Sequence, residues 1–185
     1  MKSHLIFRCL SLLLLASLLL CACSKGENNG NAPDGCVRME NEALDYTFCY
    51  DEAWELDRSD GMVGIKRNVA GGSTVAYASI SVMSFTLSDS GAGANNYWDT
   101  YRADLVDLYG DRITFETEKA ECTLNGIPAN RNHYTLQLSD NTYTYDQVVC
   151  VRYGVVYLIT LTSPEGSYES TVECFNTVID TFAFQ

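Results

Sequence analysis

The chain has 185 residues, 12 Lys+Arg against 24 Asp+Glu, a formal net charge of −12 and eight cysteines. So acidic a chain is a poor phosphate-backbone binder, because such proteins place Lys and Arg on phosphates, and its length suits one domain better than two. Twelve Tyr, seven Phe and two Trp exclude disorder by composition.

In chain order, Lys2 and Arg8 precede an apolar run of about fourteen residues that ends in Leu20-Cys21-Ala22-Cys23. A charged start and a run too short to span a bilayer read as a secretory signal peptide over residues 1–22. A small residue before a cysteine, with leucine three positions upstream of that cysteine, resembles the lipobox of bacterial lipoproteins. The resemblance implies that Cys23 is lipidated on its thiol and becomes the new N-terminus, carrying palmitate-type chains that hold the protein at a membrane. Without residues 1–22, which take Lys2 and Arg8 with them, the net charge falls to −14. Residues 23–38 then form the lipidated cysteine and a Gly/Asn/Ser/Asp spacer with an rms reach of roughly 20 Å, and residues 39–185 form a single domain.

Within that domain, Leu44 to Tyr50 alternates with period two and reads as a strand, Met62 to Arg67 as a second, and Val75 to Phe85 as a long third. A Ser/Asp/Gly loop leads to a helix over about 95–109, with Trp98, Tyr101, Leu105 and Leu108 as its apolar stripe and Gly110 as its stop. Strands are expected at about 112–119, 121–124, 128–138, 143–152 and 155–162. The short turns of the last three predict an antiparallel meander. A second helix over about 167–181 carries Tyr168, Val172, Phe175 and Ile179, and Phe182 and Phe184 close the chain. Strands in this order with two helices predict an α+β domain.

The order of elements supports a resemblance. Tyr46 to Asp51 followed by Trp54 opens the domain; a long strand near residue 80 and a helix come next. Leu124-Asn125-Gly126-Ile127-Pro128-Ala129 follows, then Tyr145 to Val148, Val156 to Thr162, and a closing helix ending in Phe182-Ala183-Phe184. This resembles the fold family shared by the extrinsic P subunit of photosystem II, a Ran-binding nuclear import factor and many small bacterial lipoproteins. The resemblance covers about residues 43–185. It implies a central antiparallel sheet flanked by helices, an α/β/α sandwich, in proteins that act by binding or assembly. It brings no shared catalytic set.

Chemistry-bearing residues are sparse. Cys36, Cys49, Cys122, Cys150 and Cys174 remain after export and are possible disulfide participants, each equally readable as a buried small side chain. No C-x-x-C occurs, and His133 is the one histidine beyond the signal segment, expected on a strand face. Asp104, Asp107 and Asp111 could share a divalent cation, or form a solvated helix surface. Tyr143, Tyr145, Tyr153, Tyr157 and Trp98 could line a ligand groove or a carbohydrate platform, with strand packing the favoured role. No phosphate-binding loop or nucleophile elbow is present. No catalytic, metal-ligating or cofactor-binding residue and no cofactor is therefore assigned.

The expected protein is a non-enzymatic, lipid-anchored module on the extracytoplasmic side of a bacterial envelope. It would bind or assemble with an envelope protein or a small ligand, and not nucleic acid. The alternatives are a carboxylate-based or metal-dependent hydrolase and a small-ligand-binding lipoprotein.

Overall fold

The computed structural model describes residues 32–57, 63–69, 76–89 and 91–185, which belong to one unit, Ala32–Gln185. The expected signal peptide, lipidated Cys23 and first half of the spacer lie outside the described residues.

The chain runs β1 (Cys36–Met39), β2 (Tyr46–Asp51), β3 (Glu55–Asp57), β4 (Val63–Val69), β5 (Ala76–Thr86) and α1 (Ala94–Tyr109). It continues through β6 (Ile113–Leu124), β7 (Ile127–Leu138), β8 (Asn141–Arg152), β9 (Val155–Pro164), α2 (Val172–Thr181) and β10 (Ala183–Phe184). Strands β3 to β9 form one antiparallel sheet in the order β3-β4-β5-β9-β8-β7-β6; β1, β2 and β10 form a small second sheet centred on β2. The meander rests on its turns. Asn125-Gly126 and Tyr153-Gly154 both take positive φ at each residue, which matches the two-residue hairpin turn that suits strand twist. The described residues are thus mostly antiparallel sheet with two helices.

Alternation sorts the core into two clusters. On β8 and β9, Val148, Cys150, Tyr157, Ile159 and Leu161 pack with Phe175 and Val178 of α2 and with Tyr46, Phe48 and Tyr50 of β2. Their neighbours Val149, Val156 and Leu158 pack with Trp98 and Leu105 of α1. The same two strands therefore hold both clusters, and each fully buried large side chain contributes about 1.5–3 kcal/mol.

Strand β2 shows how its free edge is protected. Ala183 pairs with Thr47, and the Thr181 hydroxyl accepts the Cys49 N–H at 2.8 Å. Two donors on one strand edge are thereby met by β10 and by an α2 side chain, so the closing segment covers an edge that would otherwise invite pairing.

Besides the short strands β3 and β10, which were not expected, the structure differs from expectation at four places. Residues 36–38, read as the end of the spacer, pair with β2 instead. The segments 112–119 and 121–124 are one strand, β6, broken by register shifts between Phe115 and Thr117 and between Thr117 and Ala120. The closing helix opens as a 3₁₀ turn at Tyr168–Ser170 and becomes α-helical at Val172. Leu108, assigned to the apolar stripe, is 66% exposed, because it lies about 80° around the helix from Trp98.

Candidate functional site

The bulged stretch of β6 borders a wide groove. Two register shifts between Phe115 and Ala120 leave Glu116, Glu118 and Lys119 out of the ladder, with Lys119 at φ 53°. The displaced Lys119 N–H is not lost, since the Asn132 side-chain oxygen accepts it at 2.8 Å. The Asn132 amide then donates to Asn130 Oδ1 at 2.6 Å, and Asn130 donates to Asn95 Oδ1 at 2.8 Å on the first turn of α1. Asn130 and Asn132 are buried, so this ladder satisfies polar groups that could not stand alone. The bulge also pins α1. Glu118 accepts from Trp98 Nε1 at 3.1 Å and Arg102 Nε at 2.6 Å, and Lys119 bridges Asp99 at 2.5 Å.

Beside this ladder lies a groove of about 940 Å³, between residues 93–96 at the start of α1, residues 121–123 of β6 and residues 127–130 of β7. Its size suits a small ligand or a side-chain-sized anchor of a larger partner. Asn95, Asn96, Asn130 and Thr123 offer amides and a hydroxyl; Glu121 and Lys119 are its charged members, and Lys119 is already neutralised.

A second, smaller pocket of about 270 Å³ on the other sheet face holds His133. Beneath it, buried Asp146 accepts from Arg131 Nε and Nη2 at 2.7 and 2.6 Å and from the Tyr168 hydroxyl at 2.7 Å. The carboxylate beside it raises the Arg131 pKa, and burial, then Asp146 itself, raises that of Tyr168. His133 Nε2 lies 3.2 Å from Glu116, its Nδ1 lies 4.0 Å from Asp146, and its ring meets Tyr168 edge-on. A carboxylate with three donors on it ties the sheet to the segment entering α2. His133 stands on a sheet face, as its place in an alternating strand implies, and two carboxylates flank it.

The other candidates are dispersed. Asp104, Asp107 and Asp111 are all exposed, and among the described residues no group of three or more His, Cys, Asp or Glu could hold a metal. The proposed aromatic groove of Tyr143, Tyr145, Tyr153, Tyr157 and Trp98 is not one surface. Trp98 and Tyr157 are buried in opposite clusters, Tyr143 and Tyr145 are half-buried, and Tyr153 is 90% exposed at a hairpin tip.

All five described cysteines are free. Cys122 and Cys150 both face Ala129, one from each neighbouring strand, so their Cα atoms are about 10 Å apart, beyond disulfide reach. Burial pushes the Cys150 and Cys174 thiols up to about 11 and raises that of Cys122.

The asparagine ladder and the Arg131–Asp146–Tyr168 tie escape a motif search. One signal for the ladder is in the sequence: Asn130 and Asn132 share parity with the core residues Tyr134 and Leu136, so amides occupy inward positions of an alternating strand.

The helix-and-sheet arrangement defines the class of fold. No protein-family model matches the chain, and no curated protein matches it. Among solved structures it is similar to cyanobacterial PsbP (CyanoP) from Synechocystis sp. PCC 6803, with 17% identity and a TM-score of 0.54 over 87% of this chain and 99% of that one. It is also similar to the Ran-binding protein Mog1p of Saccharomyces cerevisiae, with 14% identity and a TM-score of 0.54 over 80% of this chain and 95% of that one. A third is PA94 from Pseudomonas aeruginosa, described as a protein of unknown function and putative regulator. Identity there is 15% and the TM-score 0.53, over 81% of this chain and 97% of that one. The chain therefore shares the fold of PsbP-like and Mog1p proteins.

Proposed function

We propose that the chain is a non-enzymatic, lipid-anchored protein of a bacterial envelope, acting as a binding or assembly module with its α/β/α-layered domain on the extracytoplasmic side. The observation that carries the binding role is the groove beside α1. It combines the amides of Asn95, Asn96 and Asn130 and the Thr123 hydroxyl with apolar Ile127, Pro128, Ala129 and Val151, and its rim is braced by the asparagine ladder and the Glu118 and Lys119 contacts. The Leu20-Cys21-Ala22-Cys23 motif supports the anchor, and the spacer supplies local concentration at a membrane. Similar folds include a protein whose name records Ran binding, which is compatible with a surface that works by contact. The groove volume equally favours a small neutral ligand as occupant.

Crosslinking and affinity capture from the native membranes test this reading. The wild-type chain is expected to capture a discrete partner or ligand, and Asn130→Ala with Asn95→Ala to lose it. Cys23→Ala is expected to abolish palmitate labelling and membrane fractionation. A chain that stays in the membrane fraction without Cys23 refutes the anchor, and capture unaffected by the groove substitutions refutes the site.

A further inference from the structure

Helix α1 packs on β6, β7 and β8 and reaches Val156 and Leu158 of β9, and among the described residues no helix packs closely on β5 or β4 on that face. Exposure marks the boundary. On β5, Ala78, Ile80 and Val82 point to the other face and are buried, whereas Tyr77, Met83 and Phe85 are 55, 38 and 37% exposed. The result is a trough with β5 as its floor and the flank of α1 as its wall.

The wall is aromatic. Tyr97 packs against Phe85 with centroids 5.7 Å apart and stacks on Tyr101 at 5.9 Å with 12° between planes. Helical steps of four, three and four carry the same flank through Tyr101 and Asp104 to exposed Leu108. The middle of the floor is made of small hydroxyls, between Tyr77 at one end and Met83 and Phe85 at the other. Register sets Gly64, Ser81 and Thr160 in one cross-strand row and Ser79 and Thr162 in the next. One hydroxyl is held from the side, by the next residue of its row. The buried Gln147 amide is hydrogen-bonded to Thr160 Oγ1 at 2.9 Å, which holds this hydroxyl in place.

Charge narrows the occupant. The chain carries a formal net charge of −12, yet this floor holds none between the wall and Lys66. Lys66 itself is bridged to Asp57 at 3.0 Å. A protein partner would call for an apolar, desolvated centre with a polar rim; here the arrangement is reversed, with hydroxyls central and aromatics at the margin. Sugars match it, because a pyranose lays its C–H face on an aromatic ring and meets hydroxyls and amides with its own hydroxyls. From Tyr77 to Phe85 the floor runs about 27 Å, long enough for several linked sugars.

We propose that the trough between α1 and β5 binds a neutral carbohydrate chain. The site is separate from the groove at the start of α1 and needs neither the lipid nor a protein partner, so its failure leaves the proposed function standing.

The test is calorimetric titration of the full chain, held in a non-glycosidic detergent, with hexasaccharides of β-linked glucose and of β-linked N-acetylglucosamine. Saturable binding of at least one is expected. Tyr97→Ala and Ser81→Asp should each weaken it at least tenfold, and Thr160→Val should weaken it several-fold while preserving side-chain volume. Asn130→Ala, in the groove, should leave it unchanged. Circular dichroism melts verify each fold; should Tyr97→Ala fail to fold, Ser81→Asp at its half-exposed position decides alone. Absence of saturable binding to both sugars overturns the proposal, as does binding that survives the trough substitutions or is lost only with Asn130→Ala.

Discussion

Asp146 is the residue on which the His133 side of the sheet depends. It is buried, and its two oxygens take three donors, from Arg131 twice and from Tyr168 once. Asp146→Ala leaves a guanidinium facing its former partner with nothing to neutralise it. Breaking a buried pair this way costs about 3–5 kcal/mol, and the partial exposure of Arg131 sets the expected loss toward the lower end. Urea unfolding measures it; a loss under about 1 kcal/mol, the size of one ordinary hydrogen bond, would mean that the three contacts do not hold in solution. The thiols give a second expectation. Cys150 and Cys174 have folded pKa values raised to about 11 by burial, from an ordinary 9.0. Between pH 9 and 11 the unfolded chain releases these protons first, so it binds fewer protons than the folded chain and stability falls as pH rises. Their contribution is present in full below pH 9 and lost through about pH 11. The urea midpoint of the wild type should therefore drop across this window, and Cys150→Ala and Cys174→Ala should flatten the drop. The same residues show why the sequence left disulfides open: five cysteines reveal pairing only through which strands lie between them, and Ala129 between Cys122 and Cys150 is a fact of register.

At the scale of elements, the long alternating strands and α1 were legible because each repeats its pattern over ten or more residues. Strands β1, β3 and β10 were not, since four, three and two residues are too few to show a period. Strand β6 failed for a sharper reason. Each extra residue in a bulge reverses the parity of every later position in its strand, so a period-two reading breaks one strand into two near Lys119 and Ala120. The groove was illegible for a related reason, because it joins the start of α1 to β6 residues just past the bulge, a neighbourhood that only the register reveals. The bulge therefore depends on Asn132. Removing that amide with Asn132→Ala orphans the Lys119 N–H and the Asn130 oxygen, at a cost of about 1–3 kcal/mol for each group left buried and unpaired. Amide hydrogen exchange should show Lys119 protected in the wild type and exchanging fast in the variant. Equal exchange in both would assign the bulge to backbone geometry alone. The edge of β2 makes a parallel case: Thr181→Val keeps the side-chain volume but removes the acceptor of the Cys49 N–H, and exchange at Cys49 should rise while that at Thr47, held by β10, does not.

For the whole molecule the decisive feature is that one sheet supplies both clusters. Val148 and Cys150 belong to the α2 side, Val149 lies between them on the α1 side, and the same interleaving recurs on β9. A strand cannot release one face and keep the other, so loss of either helix layer removes packing from the backbone on which the other rests. The chain contains two tryptophans, and they fall one to a cluster: Trp54 on the α2 side and Trp98 on the α1 side. Trp98→Phe leaves a reporter of the first cluster and Trp54→Phe a reporter of the second. Neither ring is expendable, so each variant will be less stable than the wild type; what matters is agreement of probes within one variant. In each, urea transitions followed by fluorescence and by far-ultraviolet circular dichroism should coincide, as they do when a domain unfolds in one step. The groove and the trough both stand on α1. If the Trp98 signal melted before the circular dichroism signal, α1 would be a separately unfolding layer, and a ligand in either site would act by holding that layer down. Coincident transitions instead make the two sites parts of a rigid scaffold, with their geometry set before any ligand arrives.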